Sequence, residues 1–283
     1  WKKIIKMRKY IMTSIFLGVT RAWESPIYPG YSRVWQDTFS GLPGASPDLR
    51  NWNVITGDLG VNNELQFYTG SSANVHVSGG GTLKLVPWKD SSHLKGWTSG
   101  RIESKYTFTP LDGSITRIEA YIMLGDGESS HKQGIWPAFW MLGDSMRSGV
   151  AWPTCGEIDI METINGALTG YGSIHCDICA GGITGTARIP DHNWHLWRLE
   201  IDRRDIDYQN QAITWYMDES QFHQVTGTQI GSNKVWAVLA QSPLYIILNV
   251  AVGGAWPGYP NSNTLDGYNS YQEVAYVAHY VSS

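Results

Sequence analysis

Cysteine is scarce in this chain, with three residues in 283. That is too few for a disulfide scaffold and odd in number, so at least one thiol stays unpaired or modified. Charged side chains are sparse too, at 16%. A net charge of -4 and an isoelectric point near 6.1 leave no basic stripe, which argues against nucleic acid as a partner and favours a neutral one. No segment carries a long apolar stripe at the 3.6-residue period, and no repeat period recurs. Long helices and solenoids are thereby excluded.

What the chain has instead is aromatic rings and glycine: 14 Trp, 15 Tyr and 31 Gly, spread evenly enough to favour one large domain over two small ones. Some of the indoles must fill a core, but so many flat faces also suit the apolar faces of sugar rings. The first residues are chemically different. Lys2, Lys3, Lys6, Arg8 and Lys9 precede a short apolar run over 11–19, which is about half the ~20 residues needed to span a bilayer. This reads as a secretory signal peptide over 1–22, with Met7 as a candidate start and a disordered basic tail as the alternative. A single domain over 23–283 then works outside the cell, with no membrane segment in its mature form.

Short alternating stretches predict strands at 33–39 (an edge strand), 82–86, 101–108, 117–124, 194–201, 213–218 and 245–252, separated by turn residues such as those of 41–47. In 117–124, Ile118, Ala120, Ile122 and Leu124 alternate with Arg117, Glu119, Tyr121 and Met123, so one face is expected in the core and the other in water. The pattern predicts an all-β, two-sheet antiparallel sandwich.

The run from Cys155 to Ile164 is unusual, because Glu157, Asp159 and Glu162 sit among apolar strand formers. Residues two apart share a face, so Glu157 and Asp159 point the same way and Glu162 has the wrong parity. One extra residue at Ile160-Met161, a β-bulge of the kind found beside active sites, would bring Glu162 back into the row. Paired carboxylates among aromatic rings suit glycoside hydrolysis, in which the two tips lie roughly 5 to 5.5 Å apart for retention and about 6.5 to 9.5 Å for inversion.

With its Glu-x-Asp-x-x-Glu pattern, the chain resembles glycoside hydrolase family 16. The resemblance is carried also by Trp136-Pro137-Ala138-Phe139-Trp140-Met141-Leu142-Gly143, by Gly100-Arg101-Ile102 and by Val252-Gly253-Gly254-Ala255-Trp256-Pro257-Gly258 in this order, and it looks greatest to fungal endo-1,3(4)-β-glucanases. It implies a β-jelly roll with a concave substrate cleft, and a retaining endo-β-glucanase acting on β-1,3- or mixed β-1,3-1,4-glucan. By resemblance Glu157 is the nucleophile, Glu162 the acid/base and Asp159 the assisting acid. His175 matches a family histidine near the acid/base, while Arg101 and Asn63 match groups that contact sugar. Trp136, Trp140, Trp152 and Trp256 are candidate sugar platforms.

A transglycosylase on the same scaffold and a non-catalytic carbohydrate-binding jelly roll are the competing readings. The protein is expected to act as a monomer without a cofactor. Many family members hold calcium away from the cleft, but Thr38 and Ala275 stand where two of its acids would fall, so no metal is expected here. The pairing of Cys155, Cys176 and Cys179 stays open between Cys155–Cys179 and Cys176–Cys179.

Overall fold

The computed structural model describes residues 23–283, so the leader read over 1–22 lies outside the described residues. Two antiparallel sheets enclose one large core. The inner, seven-stranded sheet runs in the order Ile183–Arg188, Thr169–His175, Glu157–Glu162, Ile135–Gly143, Leu244–Val252, Arg101–Phe108 and Trp52–Val54. The outer, eight-stranded sheet runs Ser220–Thr226, Ala212–Met217, His195–Asp202, Ile115–Leu124, Gln272–Ser282, Leu83–Leu85 and Val75–Val77. Tyr31–Asp37 adds to it by pairing with Gln272–Ser282 alone, as an edge strand does. The expected β-sandwich of jelly-roll type is therefore present.

The period-2 rule places the core. Ile158, Ile174, Phe139, Met141, Leu248 and Val250 of the inner sheet pack against Ile118, Ile122, Leu199, Ile201, Ile213 and Trp215 of the outer one. Each such side chain contributes roughly 1.5–3 kcal/mol when fully buried. Among the described residues, helix is limited to short pieces. Asn233–Ala240, capped by Ser232, turns Trp236 and Leu239 inward, and eight residues are too few to stand out as an apolar stripe in sequence.

One expectation needs adjustment, and one open alternative is decided. The face of Ile115–Leu124 opposite the core is not wet: Glu119 is wholly buried, and its carboxylate accepts hydrogen bonds from the hydroxyls of Tyr28 and Tyr276. A second aromatic layer of Tyr28, Tyr121, Tyr276, Tyr280 and Trp194 covers that face. Alternation reveals that a strand is two-sided but not what lies over its second side. Of the two cysteine pairings, the structure forms Cys176–Cys179 and leaves Cys155 as a buried free thiol packed with Leu142, Tyr245 and Ile247.

Both acids nearest the expected metal-free positions are already engaged. Asp37 accepts from the Phe39 amide, the Asn51 amide group and the Trp52 indole at 2.8–2.9 Å. Glu273 accepts from the Thr82 hydroxyl and lies 3.5 Å from the Lys84 ammonium.

Candidate active site

The acid strand Glu157–Glu162 carries the bulge that parity requires. Against Ile135–Gly143 its register runs Trp140↔Asp159 and then Phe139↔Met161, leaving Ile160 without an opposite number. The same break appears against Thr169–His175, between Asp159↔Ser173 and Glu162↔Tyr171. Ile158, Ile160 and Met161 all enter the core, so Glu157, Asp159 and Glu162 face the other way and line one cleft.

That cleft holds about 430 Å³ of open space, and its walls include Trp136, Trp140, Arg101, Glu64, Tyr68 and Asn249. The Trp136 indole donates to Glu162 Oε1 at 2.8 Å. The Trp140 indole donates to Asn249 Oδ1 at 2.7 Å, and the Asn249 amide group donates to the Tyr68 hydroxyl at 3.2 Å. Arg101 lays its guanidinium 5.0 Å above the Trp140 ring while donating to Glu103, so it braces a wall as well as placing positive charge in the cleft.

His175 lies directly opposite Glu157 in the neighbouring strand. Its Nε2 is 3.3 Å from Asp159 Oδ2 and 3.8 Å from Glu157 Oε1. Trp152 stands beside it, with ring centroids 5.8 Å apart, and is 53% exposed. Trp256 is 43% exposed and meets Trp136 and Tyr171 edge to face. These two exposed rings are free to stack on a ligand.

The structure thus gathers Glu157, Asp159, Glu162, Arg101, Trp136, Trp140 and His175 at or beside the cleft, with Trp152 against His175 and Trp256 against Trp136. Asn63 is the exception. It is exposed in a left-handed turn, and the neighbouring Asn62 lines the cleft, donating to Glu64 Oε1 at 3.0 Å. Sequence reasoning missed Asn249, although its signal was available: it is the one amide in the otherwise apolar and aromatic strand Leu244–Val252.

Crowding sets the electrostatics. Burial raises the Glu157 carboxyl well above its usual range, and the charge of Asp159 raises it further, while His175 and Trp152 act in the opposite direction. Burial pushes Asp159 from the usual 3.8 up to about 8. Glu162 rises for the same first reason and then through Asp159, against the Trp136 hydrogen bond. Three such groups cannot all be ionised near neutrality. At least one of them must therefore carry a proton, while His175 and Trp152 act on Glu157, and Trp136 and His175 on Glu162, in favour of the anion. A row of carboxyl groups that cannot all ionise, set in an aromatic cleft, is the arrangement that carboxylate-based glycoside hydrolysis uses.

The comparisons give the family. Residues 89–190 match the profile described as "XgeA-like, catalytic GH16 domain". The endo-1,3-β-glucanase of Streptomyces sioyaensis is 32% identical, superposes with a TM-score of 0.85, and aligns over 92% of this chain and 100% of its own. The endo-β-1,3-glucanase of Pyrococcus furiosus is 31% identical with a TM-score of 0.73, over 89% of this chain and 95% of its own. The β-glucanase of Rhodothermus marinus is 29% identical over 91% of this chain and 88% of its own. The chain belongs to glycoside hydrolase family 16.

Two outcomes follow from the site. Asp159 titrates at about 8 when folded and near 3.8 when unfolded, so between those values the folded state binds more protons and stability falls as pH rises. Asp159→Asn should therefore raise the melting temperature most near pH 8 and little below pH 3.8, while lowering kcat; an equal gain at both ends would contradict the assigned shift. For the walls, Trp256→Ala should weaken glucan hydrolysis with an unchanged melting temperature. Trp140→Ala should lower both, because that ring is half-buried against the cluster of Leu142, Cys155, Tyr245 and Ile247, and loss of a fully buried Trp costs about 3–5 kcal/mol.

Proposed function

We propose that this enzyme is a secreted, retaining endo-β-glucanase that cleaves β-1,3-glucan or mixed β-1,3-1,4-glucan by double displacement. The observation that carries the reading is the row Glu157, Asp159 and Glu162 on one cleft wall, brought into line by the bulge at Ile160. Glu157 attacks the anomeric carbon, and Glu162 delivers its proton to the departing glycosidic oxygen. Asp159 holds a proton against the nucleophile and orients it, and the His175 ring stands beside both groups. In the second step Glu162 takes a proton from water, which opens the glycosyl ester and restores the β configuration.

The substrate class is supported by the similarity to two endo-1,3-β-glucanases and by a cleft walled with indoles and a buried amide. A long neutral chain fits a groove flanked by the exposed Trp152 and Trp256. Secretion is supported by the sequence of the leader. Among the described residues no helix is long and apolar enough to cross a membrane.

Azide separates the two glutamates. Glu157→Ala with azide should form an α-glycosyl azide from an activated β-glucoside, and Glu162→Ala should form the β-azide. Identical products from both, or an inverted sugar from the unmodified enzyme, would overturn the roles. Product profiles on laminarin, barley glucan and carboxymethyl cellulose, read for chain transfer as well as hydrolysis, fix the linkage and separate hydrolysis from transglycosylation.

A further inference from the structure

The bulge in the acid strand is reached from the opposite sheet. Trp215, wholly buried in the outer strand Ala212–Met217, crosses the core, and its indole N–H donates to the backbone carbonyl of Asp159 at 2.7 Å. Carbonyls of a regular strand lie along the ladder and point at neighbouring strands. This carbonyl accepts a bond from across the core, on the residue where the register breaks.

The inner sheet is cut to admit that ring. A Cβ on Gly172 would lie 2.5 Å from Trp215 Cδ1 and 2.9 Å from its Nε1, closer than any real side chain tolerates. Gly172 stands between Tyr171, the partner of Glu162, and Ser173, the partner of Asp159, which is the interval that faces the bulge. Its own partner in the next strand is Gly185, where a Cβ would lie 2.4 Å from the ring of His223. His223 pairs with Trp215 across the outer sheet, their rings 4.7 Å apart. Two paired glycines therefore form a notch, and two paired outer-sheet rings fill it.

We propose that Trp215, seated in the Gly172–Gly185 notch, is a positioning residue that fixes the bulge and thereby the alignment of Glu162 with Glu157 and Asp159. It touches no substrate. It ties the Asp159 carbonyl to a donor across the core, which opposes relaxation of the strand into a regular register that would turn Glu162 into the core. The inference rests on the catalytic row described above and adds the part that sets its geometry.

The test compares two buried indoles. Trp236 is also wholly buried and donates at 2.7 Å, but to the Gln211 side chain, away from the bulge. Trp215→Phe and Trp236→Phe, made in the whole chain, should lower the melting temperature alike. Only Trp215→Phe should lower kcat on laminarin, by roughly ten- to hundred-fold, the range that an ångström-scale misplacement produces, with KM little changed. Equal kcat in the two variants would overturn the proposal.

If Trp215→Phe fails to fold, β-(3-benzothienyl)alanine at position 215 keeps the ring shape and removes only the N–H; full kcat in that protein would overturn the proposal equally. A substrate-free readout separates this inference from the functional reading. Carboxyl-carbon NMR titrations of the row should move in Trp215→Phe and stay fixed in Trp236→Phe, and unmoved titrations in both would reject the clamp. An unmodified enzyme inert on every β-glucan would reject the glucanase reading alone, leaving the clamp to be decided by those titrations.

Discussion

Three carboxyl groups share one face of a buried strand, where each loses hydration and each repels the others. A buried charge without full compensation costs several kcal/mol, so the row meets that cost by keeping protons. That constraint explains the neighbours. The Trp136 N–H on Glu162 and the His175 ring beside Asp159 and Glu157 act against that rise and favour charge on the row. A proton held for electrostatic reasons is the kind that general acid catalysis requires. Destabilisation of the fold and readiness for chemistry are here the same property.

The sandwich supplies the rest. The core face of the acid strand is anchored by Ile158, Ile160 and Met161, and its cleft face is free for function because the strand is two-sided. The bulge couples those faces, since it changes which side chains belong to each. Indoles act in three distinct settings around it: Trp215 against the backbone from beneath, Trp136 on a carboxylate, and Trp152 and Trp256 exposed at the rim. Braced rings such as Trp140, held by Asn249 and Arg101, form the rigid part of the cleft.

Much of this is legible in the chain itself. Parity alone demands the bulge, because Glu162 falls out of step with Glu157 and Asp159, and the strand Arg101–Phe108 has the bounds its alternation predicts. Local pattern fails where a partner is distant in sequence. Glu119 reads as a wet-face residue because Tyr28 and Tyr276, 91 and 157 positions away, give no local sign of covering it. Trp215 reads as one more core indole, since its bond spans 56 positions and two sheets. The cysteine pairing was ambiguous for a related reason: strand adjacency brings Cys155 close to the turn, and the short loop Cys176–Cys179 closes on itself instead. The amide of Asn249 was readable, as an interruption in an apolar strand, and shows that single polar exceptions in a core strand reward scrutiny.

The central claim is that Glu157 forms a covalent bond to the sugar while Glu162 handles the proton. A 2-deoxy-2-fluoro β-laminaribioside with a good leaving group slows both steps and accumulates the glycosyl-enzyme. Intact-mass measurement should then show one added glycosyl unit, and peptide mapping should place it on Glu157. A label on Asp159 or Glu162, or turnover to an inverted sugar with no adduct formed, would contradict the account.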